Sequence, residues 1–417
     1  MSIWTDVTAC RSCGSERLAE VIEFGSTPLA DRLLRPDQLD EPELRADLTF
    51  VVCEDCALAQ ILETVDPEVL FFAEYPYFSS VSPSLVRHFA DSAAAIMERF
   101  PLDEGSLVVE AASNDGYLLR NFHERGIPVL GIDPAKAPAQ AAIDAGIPTL
   151  VDFFGRDLAE RLVAERGEAD VFLGNNVLAH VPDLNGFVAG IATMLRPTGV
   201  AVIEFPYVVD LVDHVEFDTI YHQHLCYFSV HALVALFERH GLHLNDVVRT
   251  DIHGGSLRIF VQPVDDRRPI VDELLATEAE RGFDRVDAYA DFAERIDALR
   301  TELRSIVEGI KADGGRIAGY AAAAKATTLL AYCDLDGRHL DYVCDLNEYK
   351  QGRFMGGNHL EIVPPSTLLE DRPDHVLILA WNFAAEIMAQ NRAYAEAGGS
   401  FSVPVPEPRV VDPAAGA

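Results

Sequence analysis

From Gly105 onward, short β-branched runs alternate with helix-patterned stretches, and this alternation constrains the fold more than any other feature of the chain. The runs read SLVVEA, PVLGIDP, TLVDF, ADVFLGNN and VAVIEFP, each followed by enough residues for a crossover helix, as a parallel sheet requires. The next two, LNDVVRTD and SLRIFVQP, are separated only by Ile252 to Gly255. That gap is too short for a helix and predicts an antiparallel hairpin. Five parallel strands closed by a hairpin differ from a two-halved dinucleotide-binding sheet. At 417 residues the chain exceeds one ordinary core, so two or three domains are expected.

The first strand carries a nucleotide-loop pattern. Val108 and Val109 lead into Glu110, and Ala111 to Gly116 are small or turn-prone before an apolar helical start at Tyr117. In an open α/β sheet the crevice at the carboxyl ends of the strands takes nucleotide-like ligands, and short side chains at Ala112 and Asn114 allow close backbone approach. Asp133 ends the second strand, where a carboxylate can accept both hydroxyls of a ribose. Asp152 and Phe153 follow the third, placed to bond and stack an adenine, and Asn175 closes the fourth.

Before this sheet lie CRSCG and CEDC, which set Cys10, Cys13, Cys53 and Cys56 at zinc-ligand spacing. Four thiolates make a closed tetrahedral site, which predicts a structural zinc, with a redox pair or unrelated thiols as the alternatives. Cys226, Cys333 and Cys344 sit in apolar surroundings and read as buried small hydrophobes. The stretch FFAEYPYFSS contains Tyr75 and Tyr77. It predicts either an interdomain seam or a substrate wall with phenol donors.

The densest chemistry follows the fifth strand, at YHQHLCYF. If this stretch is helical, Tyr221 and His224 share a face; if extended, His222 and His224 do. Either places a histidine to act as a base near neutral pH, and His180 lies one helical step beyond the fourth strand. A metal held by His214, His222 and His224 is an alternative without a characteristic spacing.

Asp272 to Asp313 is predicted as one long connecting helix. A second alternating region, from RIAGYAAAAKATTLLAY to FSVPVPEPRVV, predicts a smaller Rossmann-like domain. Lys325 stands at its first helix start, where a phosphate is favoured, and Lys350 and Arg353 add local positive charge. The boundaries read 1–70 for the zinc-binding domain, 71–266 for the central domain and 267–417 for linker and C-terminal domain.

Acidic residues outnumber basic ones 67 to 33, giving a net charge of -34. That argues against nucleic-acid or membrane-surface partners. Met1 to Asp6 lacks signal-peptide character, and no run reaches a membrane span. A cytoplasmic monomer is the expectation.

The order CxxC, CxxC, YPYFSS, EAASNDGYLL, DFF, NNVLAHV, EFPY, YHQHLCYFS, HGGSLR, GYAAAAK, DLNEYKQGR resembles the sugar C-methyltransferases that act on dTDP-linked keto-deoxysugars in antibiotic glycoside biosynthesis. The resemblance covers nearly the whole chain. It implies an α/β fold: a class I S-adenosylmethionine (SAM) methyltransferase doubly wound sheet, a small N-terminal zinc module and a C-terminal Rossmann-like domain. By matching motif, Tyr75, His180, Tyr221 and His224 would face the sugar, with Gln223 beside them and Tyr77 on the substrate wall. Glu110, Ala112, Asn114, Asp133, Asp152, Phe153 and Asn175 would line the SAM pocket. Ser256, Arg258, Lys325, Lys350 and Arg353 would hold the dTDP moiety. Two positions depart from the family pattern: Gln223 replaces the Glu of YHEH and cannot ionise, and Ala112 replaces a loop Gly. Some relatives are linked with ketoreduction, so NADPH use at the Gly319 to Lys325 loop is a second expectation. A non-catalytic zinc-anchored binding protein is the third.

Overall fold

The computed structural model describes residues 3–70 and 78–411. Its central sheet has seven strands: β1 (Val108–Ala111), β2 (Val129–Ile132), β3 (Thr149–Leu150), β4 (Ala169–Asn175), β5 (Leu195–Pro206), β6 (His243–Thr250) and β7 (Ser256–Gln262). The order is β6-β7-β5-β4-β1-β2-β3. β1 to β5 pair in parallel, and β7 runs antiparallel to both β5 and β6. The alternation therefore yields the expected parallel sheet, and the short Ile252–Gly255 connection yields the hairpin. β1 and β2 are buried along their whole length, as parallel strands covered by helices on both faces must be. The turns at the carboxyl ends of β1, β2 and β4 consequently share one rim.

The N-terminal module is a four-stranded sheet whose outer strand does not belong to it. Leu18–Pro28, Arg45–Cys53 and Ala59–Ile61 are joined by Cys226–Tyr227, through the pairs Cys226 with Gln60 and Tyr227 with Ala59. The stretch that follows the histidine cluster is thus part of the zinc module's sheet.

The C-terminal domain has six strands in the order Ile362–Val363, Val343–Cys344, Ile317–Tyr320, His375–Ile378, Ser400–Val403, Arg409–Val411, parallel except for the last pair. The expected single connecting helix is two. Pro269–Glu280 and Phe292–Ala312 are separated by a turn with Gly282 at φ 81° and a short 3-10 segment at Val286–Tyr289. The break lets Phe283 and Tyr289 enter the core, which one continuous helix would hold apart. The first of these helices also supplies Glu278, whose carboxylate accepts from the amides of Val230 and His231 at 2.7 and 3.0 Å. These are free donors at the start of the Val230–Glu238 helix.

Among the described residues, no helix is long and apolar enough to cross a membrane. Cys226, Cys333 and Cys344 are buried, as expected of small hydrophobes.

Candidate active site

The sulfur atoms of Cys10, Cys13, Cys53 and Cys56 lie within 4.8 Å of one another. A tetrahedron of zinc–sulfur bonds near 2.3 Å needs sulfurs about 3.8 Å apart, so the set fits the ion. The amides of Ser12 and Asp55 donate to the sulfurs of Cys10 and Cys53 at 3.4 Å. Among the described residues this is the only cluster able to hold a metal. The histidine alternative does not assemble, because His222 Nε2 bonds the Asp47 carbonyl at 2.9 Å and His214 bonds Glu216 at 3.3 Å.

A cavity of about 820 Å³ opens at the rim of the central sheet and is walled by all three domains. Its central-domain side comes from the turns after β1, β2 and β4. Ala112 (φ 55°) and Asn114 (φ 49°) both adopt left-handed backbone. That conformation suits the Gly of the family pattern, and Asn tolerates it better than Ala, so Ala112 carries strain here. Gly131 of β2 packs so closely that a Cβ would sit 2.5 Å from Ser113 Oγ, which fixes the loop against the strand. Asp133 accepts the amides of Asn114 and Ala135 at 2.8 Å each. Burial pushes its carboxyl up to about 6. Glu110 is fully buried and does not line the cavity: Asn175 Nδ2 reaches Oε1 at 3.4 Å, while Oε2 has no hydrogen-bond partner among the described residues. Burial raises this carboxyl well above its usual range. A carboxylate at the β2 end, an exposed Phe153 ring and close backbone turns fit SAM.

Asp152 stands elsewhere. It pairs with Arg161 at 3.1 Å and does not line the cavity, because the chain turns after Leu150 and presents Phe153 and Phe154 inward instead.

Facing this wall, the histidine cluster forms a turn in which the His224 amide bonds the Tyr221 carbonyl at 2.8 Å. Tyr221 and His224 share a face and His222 points away into the zinc module. His224 Nδ1 donates to the Thr219 carbonyl at 2.8 Å, which leaves the lone pair on Nε2; there Tyr221 Oη donates at 2.9 Å. His180 lies edge-on to His224 with ring centroids 4.8 Å apart. Burial holds His224 well below the ordinary imidazole range and takes His180 down to about 4, so both rings are neutral near pH 7. Gln223 is buried, with Nε2 3.5 Å from the Ala30 carbonyl of the zinc module. Tyr75 and Tyr77 lie outside the described residues. Their neighbour Phe78 lines the cavity and stacks on Tyr349 of the C-terminal domain, centroids 5.7 Å apart.

Of the basic residues, Lys325 and Lys350 line the cavity. Lys325 Nζ bonds Asn382 and sits 3.7 Å over the Trp381 ring. Lys350 Nζ bonds Asp31 at 3.1 Å and the Ala322 carbonyl at 2.7 Å, closing the zinc module onto the C-terminal domain. Arg258 and Ser256 do not reach the cavity. Arg258 forms a buried pair with Glu204 at 2.7 Å, its neighbour across β5 and β7, and Ser256 Oγ donates to Ile252 O at 3.0 Å. Arg353 is likewise absent from the lining. His253 was not anticipated. It lines the cavity with a left-handed backbone (φ 57°), and burial lowers its imidazole to about 4.

A seven-stranded sheet with β7 antiparallel, a carboxylate at the ends of β1 and β2 and a closed module of four cysteines define a SAM-dependent methyltransferase of class I. Family models agree: a zinc-binding domain matches residues 10–71, a methyltransferase domain 85–247 and a C-methyltransferase C-terminal domain 251–406. The chain is 38% identical to C-methyltransferase NovU of Streptomyces niveus over 97% of both chains. It belongs to the sugar C-methyltransferase family. A ubiquinone biosynthesis O-methyltransferase of Rhodopseudomonas palustris (strain BisA53) shares 29% identity over 30% of this chain and 50% of its own. Among solved structures, magnesium protoporphyrin IX methyltransferase from Synechocystis PCC 6803 aligns with 42% of this chain and 82% of its own, at 15% identity and a TM-score of 0.35.

Proposed function

We propose that the protein methylates C3 of a dTDP-linked 4-keto-deoxysugar through an enolate, as part of antibiotic deoxysugar biosynthesis. The observation that carries this reading is the Thr219–His224–Tyr221 chain at the cavity wall, in which Nδ1 donates to the Thr219 carbonyl and the Nε2 lone pair accepts from the Tyr221 phenol. A carbon accepts a methyl only once it is nucleophilic, and a C4 ketone makes the C3 proton acidic by spreading charge onto the carbonyl oxygen. His224 Nε2 takes that proton. Tyr221 Oη, released from Nε2, donates to the developing oxyanion, and His180 borders the same space. Burial disfavours an isolated imidazolium, but an enolate formed alongside pairs with it and offsets that cost. Bound SAM supplies the electrophilic methyl group. Glu110, Asp133 and Asn175 hold it, and Lys325 and Lys350 offer charge to the nucleotide diphosphate.

Gln223 does not ionise, so this scheme gives it a tethering role against Ala30. Two of the matched family models describe methyltransferase domains, and this scheme uses no NADPH. Incubation with SAM and a panel of dTDP-4-keto-deoxysugars is expected to give a product heavier by one methylene in mass spectrometry. Tight SAM binding with no methylated sugar across the panel would sink the reading.

A further inference from the structure

The tautomer of His224 depends on one backbone carbonyl, that of Thr219, which accepts from Nδ1 at 2.8 Å. That carbonyl also accepts from Tyr227 Oη at 3.4 Å, and its turn is closed locally by the Thr219 amide and Oγ1, which donate to the Glu216 carbonyl at 3.0 and 2.7 Å; a further hold comes from across the cavity. The 217–220 turn is gripped by the C-terminal domain at two points. Trp381 Nε1 donates to Asp218 Oδ2 at 2.8 Å, and Thr328 Oγ1 donates to the Ile220 carbonyl at 2.9 Å. These bonds flank Thr219 on both sides. Asp218 is completely buried, and its second oxygen has no hydrogen-bond partner among the described residues. A buried carboxylate needs a nearby cation, and the positive charge of Lys325 favours its ionised form without a direct ion pair. The Lys325 ammonium rests over the same Trp381 ring that bonds Asp218, and it also lines the cavity.

We propose that Asp218, with Trp381 as its donor, is a positioning residue that fixes the Thr219 carbonyl and so holds His224 with its lone pair on Nε2. The inference rests on His224 being the base. It goes further in making the C-terminal domain part of the reacting half of the site, since Lys325 and Trp381 link the cavity to the histidine turn. A ligand anion drawn to Lys325 acts on the same indole that anchors Asp218.

The test uses Trp381→Phe, which removes one N–H donor and keeps an aromatic ring under Lys325. Asp218→Asn is its conservative partner, because the amide oxygen still accepts from Trp381. Three readings are taken on the full-length, zinc-loaded protein: the 15N imidazole spectrum of His224 without substrate, exchange of the sugar C3 proton in D2O without SAM, and steady-state kinetics. A misplaced reacting group costs on the order of 10- to 100-fold. Trp381→Phe is therefore expected to mix the His224 tautomers and to slow exchange and kcat together by roughly that factor, with KM and SAM affinity within about twofold of wild type. Asp218→Asn is expected to retain the wild-type tautomer and most of kcat. Wild-type tautomer and kcat in Trp381→Phe overturn the proposal, as does a raised KM with kcat unchanged. A wild-type enzyme that exchanges no C3 proton refutes the enolate reading instead, and the imidazole spectrum still reports on the positioning.

Discussion

The two walls of the cavity are built in opposite ways. The wall proposed for the cofactor comes from one domain: Ala112, Asp133 and Asn175 line the cavity at or just beyond the ends of β1, β2 and β4, with Glu110 buried within β1, and the sheet itself sets their spacing. The reacting wall belongs to no single domain. His224 stands on a turn whose next strand is the edge of the zinc module's sheet, whose Leu225 amide bonds the Ala179 carbonyl at 2.7 Å, and whose preceding residues are held by Trp381 and Thr328. Strand ends orient their residues through the sheet's own hydrogen bonds, whereas a loop acquires fixed geometry only from what packs on it. Donor binding should therefore survive damage to the flanking domains, while turnover should not.

The largest expected effect is at the base. In His224→Asn the side chain can still donate toward Thr219 but has no basic lone pair. A general base contributes on the order of 10²- to 10⁴-fold, so kcat should fall by that much with the SAM dissociation constant unchanged by calorimetry. Near wild-type turnover in this variant would remove His224 from the chemistry and the contrast between the walls with it.

A smaller effect is expected at Gln60, which connects the zinc knuckle to the histidine turn. Its Oε1 accepts the Arg11 amide at 2.9 Å between Cys10 and Cys13, and its backbone pairs with Cys226. The knuckle is held from the other side by Asn185, which donates to the carbonyls of Arg11 and Ser12 at 2.8 and 3.0 Å. Gln60→Leu leaves the Arg11 amide unsatisfied at a cost of about 1–3 kcal/mol, seen as a lower Tm. Loosening of Cys226 should lower kcat roughly tenfold while zinc content and SAM affinity hold. If SAM affinity drops in step with kcat, the two walls are not separable.

This difference in construction also explains what could be read from sequence. The loop after β1, Asp133 and the two C-x-x-C steps were legible because each is marked by a short local pattern, a strand end or a paired-thiol turn, even though the two cysteine pairs meet only across 40 and 46 positions. The hairpin was legible because Ile252 to Gly255 has room for nothing else. Asp152 does not line the cavity: the turn presents the next residue, Phe153, to it and pairs Asp152 with Arg161. Arg258 was matched by motif to the dTDP moiety, but its partner Glu204 lies opposite on β5, a strand-to-strand pairing that the hairpin itself, which sets Arg258 against Val248, does not specify. Asp218 and Trp381 carried no signal, since they are 163 positions apart and meet only once the C-terminal domain has docked.

The smallest expected effect separates the walls by pH alone. Asp133 must be ionised to accept from a ribose as a carboxylate. Burial is the main reason its pKa is pushed up to about 6, with the Asn114 and Ala135 amides pulling the other way. A raised carboxyl pKa means that the charged form is present above pH 6 and is lost as pH falls through it. SAM affinity should therefore weaken by roughly fourfold half a unit below that midpoint, and Asp133→Asn should flatten the curve. His180 loses its neutral form only near pH 4, and burial lowers His224 in the same direction. Both shifts disfavour the protonated ring. At saturating SAM, kcat should thus change little between pH 7 and pH 5.5 while the SAM dissociation constant rises. An acid limb in kcat near pH 6.5 would mean that an ordinary, solvated histidine sits on the reacting wall, contrary to the burial seen for His180 and His224.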